Sequence, residues 1–150
     1  MDVVNSIKRS QMMSGIKGKN TKPELFVRSY LHAAGFRFRL HRNDLPGRPD
    51  LALKKYRLVI FVNGCFWHRH EGCIYKTYPS SRKDFWERKF EGNIQRDKKY
   101  VEELVQTGWR VLVIWECGIK HSFRELECIQ QFITSKNEFM IWPSKPPRSI

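Results

Sequence analysis

The fold is decided by the stretch LALKKYRLVIFVNG at residues 51–64. It contains two short apolar runs, residues 51–53 and 58–62, which are joined by the mostly charged segment KKYR. Continuous apolar runs of this length are typical of buried strands. The stretch therefore predicts a hairpin that leads into a buried central strand, and Gly64 ends that strand.

The residues before the hairpin predict a helix and a short strand. Thr21, Pro23 and Glu24 form a capping-box arrangement, and the apolar residues that follow recur at helical spacing. We therefore expect a helix at residues 22–34 that stops at Gly35. Residues 36–40 alternate between apolar and basic types, as a half-buried strand does, and residues 43–49 form a turn.

The residues after the hairpin complete a mixed α/β pattern. Residues 81–106 are charged with helical periodicity, and Gly92 is a position where that helix could bend or divide. Residues 109–115 predict a second buried strand, and a last helix is expected at about 122–134. This order of elements predicts an α/β fold, with a mixed sheet flanked by helices.

Length and charge limit the function. The chain has 150 residues, and 28 Lys plus Arg against 15 Asp plus Glu give a net charge of +13. We expect a basic N-terminal arm at residues 1–20, a single domain at 21–135 and an irregular tail at 136–150. The alternative for residues 1–20 is a frayed end whose charges only aid solubility.

The charge points to a polyanionic partner. No apolar run approaches the roughly 18 residues of a membrane span, and no lipidation motif is evident, so no membrane partner is expected. The first residues lack the apolar core of a signal peptide, which predicts a cytoplasmic protein. Nucleic acid is therefore the expected partner.

One group of residues has the chemistry of a structural zinc site. Zinc favours four sulfur or nitrogen ligands in a tetrahedron, and such a closed set leaves no position for catalysis. His68 is the rival of the histidine in this set, and the alternative is that the cysteines only fill space. Cys128 has no partner in spacing and is expected in the core. The candidate ligands are Cys65, His70, Cys73 and Cys117.

A second group is acidic. Asp50 follows two prolines and a glycine and stands at the mouth of a strand, where a carboxylate can hold Mg²⁺. Glu24 and Asp97 could converge on it. The alternatives are that Glu24 only caps its helix and that Asp97 only pairs with a neighbouring Arg96 or Lys98.

Residues 66–68 add a base and two aromatic rings. His68 lies on the loop that zinc would hold, and an imidazole there could take a proton from a water that attacks a phosphate. Phe66, Trp67 and Trp86 stand beside basic residues, so they could stack on bases or wedge between them. The alternative for these rings is core packing. The three other tryptophans are expected at ordinary positions in the core or at its edge: Trp109, Trp115 and Trp142.

Together these motifs resemble the very short patch repair (Vsr) endonucleases. LPGRPD at 45–50, VIFVNGCFWH at 59–68, NIQRD at 93–97 and VIWEC at 113–117 follow the order and spacing of that family. The resemblance implies a fold like that of type II restriction endonucleases, the PD-(D/E)XK type. It also implies an enzyme that nicks duplex DNA 5′ to the thymine of a T·G mismatch left by deamination of 5-methylcytosine.

The resemblance also implies roles for individual residues. Asp50 would be the Mg²⁺-binding carboxylate, and the main-chain oxygen of Val62 would contact the same ion. His68 would be the general base and Asp97 would orient it, while Glu24 would hold water at the metal.

The same resemblance assigns the metal cluster and the rings. It makes Cys65, His70, Cys73 and Cys117 structural zinc ligands, and it makes Phe66, Trp67 and Trp86 a wedge that opens the duplex beside the mismatch. Asn63 stands where some members carry a second active-site histidine, so it can donate a hydrogen bond but cannot carry a proton.

The expected partner is double-stranded DNA with a T·G mismatch, bound by a monomer that is linked in function to a cytosine-5 DNA methyltransferase. One alternative is a Vsr-like nicking nuclease of the restriction or mobile-element type that acts on matched DNA. The other is a zinc-stabilised DNA-binding protein without catalysis, towards which only Asn63 leans.

Overall fold

A computed structural model describes residues 20–149, so the expected arm at residues 1–20 lies outside the described residues except for Asn20. The helices are α1 (Lys22–Ala33), α2 (Lys83–Gln106), α3 (Glu116–His121) and α4 (Glu127–Thr134). The strands are β1 (Arg39–Leu40), β2 (Leu51–Leu53), β3 (Leu58–Asn63), β4 (Arg110–Trp115) and β5 (Phe139–Trp142). Short 3₁₀ turns lie at Lys54–Tyr56 and Phe123–Glu125.

The strands form one five-stranded mixed sheet in the order β1-β2-β3-β4-β5. β1, β2 and β3 pair antiparallel, which confirms the predicted hairpin, whereas β3, β4 and β5 pair parallel. In the central pair Val62 lies opposite Ile114, and Asn63 lies opposite Trp115. The carboxyl ends of β3 and β4 therefore lie side by side.

Helices cover both faces of this sheet. Residues of α1 and α4, such as Leu31 and Ile133, pack on one face with Leu58 and Leu112. On the other face α2 contributes Leu104, and this face is covered by a second core cluster: Ala52, Val59, Leu104, Trp109, Val111 and Val113. The result is an α/β/α arrangement in which α2 runs past the ends of the central strands.

The first helix begins and ends as its sequence predicts. The Thr21 hydroxyl accepts a hydrogen bond from the Glu24 amide at 3.4 Å, and Gly35 follows the helix with a φ of +96°. The Glu24 carboxylate reaches back one residue beyond the cap, to the Asn20 amide at 2.9 Å. One half of the capping box is therefore present, and Glu24 is left facing the sheet with 2% of its surface exposed.

The expectations for the C-terminal third were partly wrong. Residues 136–150 are not an irregular tail, because Phe139–Trp142 forms β5 and pairs in parallel with β4. The last helix is divided, with α3 starting directly at Glu116 and α4 confined to Glu127–Thr134. Gly118 permits this course, since a Cβ there would lie 2.6 Å from the Trp142 ring and from Pro143.

Three smaller expectations also need correction. The strand expected at residues 36–40 is limited to Arg39–Leu40, because only these two residues pair with β2. Gly92 does not interrupt α2, which is one continuous helix. Cys128 is exposed rather than in the core, since the buried face of α4 carries Ile129, Phe132 and Ile133.

The positions expected for the three other tryptophans, in the core or at its edge, are confirmed. Trp109 and Trp142 are 8% and 2% exposed, and Trp115 is half-buried against the cysteine cluster. None of the helices within residues 20–149 combines the length and apolar character of a membrane span.

Candidate active site and metal cluster

A cleft of 680 Å³ opens where the amino end of β2, the carboxyl end of β3 and one side of α2 meet. The sequence motifs that lie far apart along the chain contribute side chains to this one cleft. Its lining includes Glu24, His41, Asp50, Val62, Asn63, His68, Asp97 and Lys89.

Asp50 stands at the bottom of the cleft, directly before β2. Its Oδ2 accepts a hydrogen bond from the Val62 amide at 2.7 Å, which fixes the carboxylate against the end of β3. Burial raises the pKa of Asp50 to about 6, and the neighbouring Glu24 carboxylate adds to the rise while the Val62 amide opposes it. The ionised Asp50 carboxylate is therefore incompletely compensated by neighbouring positive charge, which is a property of carboxylates that bind cations.

Glu24 reaches the same point from α1. Its Oε1 contacts Arg28 at 2.7 Å and makes a short contact with His41 Nε2. Burial raises the pKa of Glu24, but the hydrogen bonds from Arg28 and His41 outweigh burial and hold the pKa below its ordinary value. Glu24, His41 and Asp50 each place a ligand atom within 4.8 Å of the others.

His68 and Asp97 form a pair on the opposite wall. His68 Nδ1 lies 2.7 Å from Asp97 Oδ2, and both side chains are about one-third exposed, at 34% and 36%. Because Asn93 lies one helical turn before Asp97, it faces the same loop, and its Nδ2 donates to the Trp67 carbonyl at 3.0 Å. Helix α2 therefore holds the loop that carries His68 at two points.

This pairing decides between alternatives that the sequence left open. Asp97 contacts His68 and has no ion pair with Arg96 or Lys98 in residues 20–149. His68 lies apart from the cysteine cluster, which takes His70 instead. Asn63 is 8% exposed and is the last residue of β3, so it lines the cleft between Asp50 and the His68 loop.

The cysteine cluster lies behind the cleft. The ligand atoms of its four members lie within 4.8 Å of one another, and His70 Nδ1 is 3.3 Å from Cys117 Sγ and 3.6 Å from Cys65 Sγ. Ligands of tetrahedral zinc stand about 3.5 Å apart, given zinc bonds of about 2.0–2.3 Å. The four residues that fit zinc in this way are Cys65, His70, Cys73 and Cys117.

The cluster is buried and is supported by its neighbours. The Cys117 thiol and burial raise the pKa of Cys65, and burial raises the pKa of Cys73. Thiolates are therefore unfavourable here unless a metal compensates them. The His70 ring is stacked on Trp115 at 4.2 Å between centroids, and the Cys65 amide donates to the Glu116 carboxylate at 3.0 Å.

An aromatic cluster follows the cleft along the same face. The Phe66 ring lies 5.2 Å from Trp67 and 6.1 Å from Trp86, and Trp67 and Trp86 are 5.8 Å apart. All three are half-buried, so each ring keeps part of its surface open to a ligand. We call Phe66, Trp67 and Trp86 the aromatic cluster.

Sequence reasoning missed the arginine that supports this cluster. Arg69 is 5% exposed, its guanidinium lies 3.9 Å from the Phe90 ring, and Nη1 donates to the carbonyls of Thr77 and Phe66. A lone arginine in a basic chain gives no signal of such burial. His41 and Glu116 were missed as well, because their contacts with Glu24 and with the Cys65 amide join residues that are distant in sequence.

Basic side chains surround these features. Lys89 lines the cleft with its amino group 5.6 Å from the Trp67 ring, and Arg96 lies beside it. Other basic residues of α2 are exposed, including Lys83, Arg88, Lys98 and Lys99. A cleft with paired carboxylates, a His-Asp pair and a positive border is typical of enzymes that cut the phosphate backbone of nucleic acids.

Comparison with known proteins identifies the class. Residues 1–74 match the family described as "DNA mismatch endonuclease Vsr". The chain is 49% identical to the type II nicking enzyme V.XorIIP of Xanthomonas oryzae over 118 residues, which cover 79% of this chain and 86% of the relative. It is 40% identical to the DNA mismatch endonuclease Vsr of Escherichia coli over 79% of this chain and 76% of the relative.

A third relative, the type II nicking enzyme V.HpaIIP of Haemophilus parainfluenzae, is 40% identical over 77% of this chain and 82% of its own length. These matches make the protein a DNA endonuclease, a hydrolase of the phosphodiester backbone. It belongs to the Vsr family of DNA mismatch endonucleases.

Proposed function

We propose that the protein nicks duplex DNA 5′ to the thymine of a T·G mismatch that arises when 5-methylcytosine deaminates. The observation that carries this proposal is the meeting of Asp50 with the His68–Asp97 pair in one cleft beside the aromatic cluster. Relatives named as a mismatch endonuclease and as nicking enzymes support the reaction class. The fold proposed with it is that of the restriction endonucleases.

Asp50 and the main-chain oxygen of Val62 would hold Mg²⁺, with Glu24 beside them. The fit rests on the donor set, because the carboxylates of Asp50 and Glu24 have ligand atoms within 4.8 Å of each other and Mg²⁺ takes oxygen ligands. When bound, the ion would stabilise the charge that develops on the scissile phosphate.

His68 would act as the general base and Asp97 as the residue that orients it. Asp97 accepts at Nδ1, which leaves Nε2 free to take a proton from the attacking water. Asn63, at the end of β3, would donate a hydrogen bond to the phosphate. It cannot supply the positive charge of a histidine at that place.

The remaining parts would bind and shape the DNA. The aromatic cluster would enter the base stack at the mismatch, where a mispaired step costs least to open. Zinc on the four-residue cluster would hold the loop after β3 against the start of α3. Basic residues of α2 and of the arm at residues 1–20 would contact phosphates, and a single nick in an asymmetric lesion requires one monomer.

The direct test uses end-labelled duplexes with a T·G mismatch in varied contexts, beside matched C·G duplexes. We expect a nick on the thymine strand that requires Mg²⁺ and is lost in Asp50→Ala, while binding of the same duplex persists. Asp44→Ala is the matched control, because Asp44 is an exposed acid of the same loop. Full cleavage by Asp50→Ala would contradict the role of Asp50.

A second candidate function has an observation in its favour. Two relatives are named as type II nicking enzymes, and this favours a nicking nuclease of the restriction type that acts on matched DNA. The matched duplexes in the same panel separate the two. Equal nicking of matched and T·G duplexes would favour this second function. A link to a cytosine-5 DNA methyltransferase belongs with the first.

A further inference from the structure

His41 makes contacts that the proposed reaction does not require. It directly follows β1, and its main-chain amide donates to the carbonyl of Asp50 at 3.2 Å. This bond adds one more rung to the β1–β2 pair and places the imidazole beside the Asp50 carboxylate. Its side-chain Nε2 contacts Glu24 Oε1. One residue therefore contacts both acids of the cleft.

The backbone of His41 also has an unusual conformation. Its φ is +47°, in the left-handed region that residues other than glycine rarely adopt. Five other non-glycine residues within 20–149 share this conformation, so by itself it marks the course of the chain and not a site. Here it turns the ring inward, and the side chain is 13% exposed.

Two carboxylates and an imidazole meet at this point, so a cation held here would have mixed ligands. Glu24 and Asp50 bring two carboxylates, and Arg28 offsets one of them through its contact with Glu24 at 2.7 Å. The three donors lie on separate elements, α1, the end of β1 and the start of β2, with ligand atoms within 4.8 Å of one another. One ion can thus contact two oxygens and one nitrogen.

We propose that His41 is a ligand of the catalytic cation and that its imidazole gives the site a preference for Mn²⁺ over Mg²⁺. The inference rests on the proposed role of Asp50 as a metal ligand. Its chemical basis is that Mg²⁺ favours all-oxygen sets, whereas imidazole nitrogen suits transition metals. The competing explanation is that His41 only holds Glu24 in place by a hydrogen bond.

The test measures metal binding rather than cleavage. Zinc-loaded protein without DNA is given less than one equivalent of Mn²⁺, and pulsed EPR records whether an imidazole ¹⁴N is coupled to the manganese. Calorimetry gives the ratio of Mn²⁺ to Mg²⁺ affinity. His41→Gln keeps an N–H donor for Glu24 but removes the imidazole, and His32→Gln on the exposed side of α1 is the control.

We expect a ¹⁴N coupling in the wild-type protein and in His32→Gln, and its loss in His41→Gln. The Mn²⁺ to Mg²⁺ affinity ratio should fall by about tenfold in His41→Gln, because the variant lacks the nitrogen ligand that favours a transition metal. A missing ¹⁴N signal, or an unchanged ratio in His41→Gln, would overturn the inference. Mg²⁺-dependent nicking by wild-type protein is scored separately, so its loss would instead contradict the proposed function.

Discussion

Asp50 shows how one side chain can be unfavourable for the fold and useful for the reaction. Burial raises its pKa to about 6, well above the value of about 4 that is ordinary for an aspartate. In the folded protein without a cation, ionisation is therefore opposed. The stability that comes from the neutral form is complete below about pH 4 and is lost as the pH rises through about 6.

Asp50→Asn should therefore stabilise the protein when no divalent cation is added. At pH 8 we expect its free energy of unfolding to exceed that of the wild type by about 1–3 kcal/mol, because burial disfavours the ionised Asp50 that asparagine replaces. At pH 3.5 most of the difference should be gone. Urea unfolding at both pH values measures it, with Asp44→Asn as the control. If Asp50→Asn were less stable than the wild type at pH 8, the ionised Asp50 carboxylate would not be destabilising the fold.

His68 and Asp97 should act as one unit. His68→Ala removes the proposed base and should lower the single-turnover nicking rate by about 10²–10⁴-fold. Asp97→Asn should lower it less, and the double variant should be no slower than His68→Ala, because Asp97 acts only through the 2.7 Å contact. Asp84→Asn, an exposed acid at the start of the same helix, is the control. Additive losses would contradict the pairing.

At the scale of elements, the sequence predicted correctly those features that depend on contacts between residues close together in the chain. The helix start at Thr21, the stop at Gly35 and the hairpin through residues 51–62 follow from caps, turns and apolar runs within a few residues. The fifth strand and helix α3 follow from non-local contacts. Phe139–Trp142 forms a strand by pairing with the edge of β4. The prolines that follow these four residues are typical of irregular chain, so the local sequence did not indicate a strand.

The cysteine cluster joins two elements, the loop after β3 and the start of α3. The Cys117→Ser variant should lose bound zinc and melt at a lower temperature, because zinc binding stabilises the folded form of this loop. Cys128→Ser is a matched control, since Cys128 is exposed on α4 and lies outside the cluster. Atomic absorption and thermal melting measure both effects. Full zinc content in purified Cys117→Ser would remove that residue from the ligand set.

The aromatic cluster should set the preference for mismatches. Trp67→Ala should weaken binding to a T·G duplex by about tenfold, within the 1–3 kcal/mol found for stacking of one base, and change binding to matched DNA less. Phe123→Ala, an aromatic residue that is 56% exposed, serves as the control. Anisotropy titrations with labelled duplexes measure the ratio. An equal loss on both duplexes would mean that Trp67 contributes general affinity only.

At the scale of the whole molecule, the net charge of +13 should appear in the salt dependence of binding. Replacing Lys8, Arg9, Lys17 and Lys19 by Gln should reduce the slope of log affinity against log salt by about 2–4 units, if these residues contact phosphates. Fluorescence titrations at salt concentrations from about 50 to about 300 mM measure the slope. An unchanged slope would favour the alternative that these charges only aid solubility.

The sequence indicated the residue types that line the cleft, but not all of their contacts. Motifs at residues 45–50, 59–68 and 93–97 carry the residue types, and the sheet order brings them to one cleft. No local pattern could indicate that His41 would meet Glu24 across 17 positions, or that Arg69 would be buried between rings. Such contacts depend on how α1 and α2 pack on opposite faces, which only the assembled molecule decides.

The most direct test of the central claim is the single-turnover nicking rate on a T·G duplex and on the matched C·G duplex of the same sequence, with Mg²⁺ present. The product should be mapped to the nucleotide on both strands. We predict one nick, on the thymine strand directly 5′ to the mismatched thymine, at a rate at least about 10²-fold above that of matched DNA. Equal rates on the two duplexes, or nicks on both strands, would contradict the account.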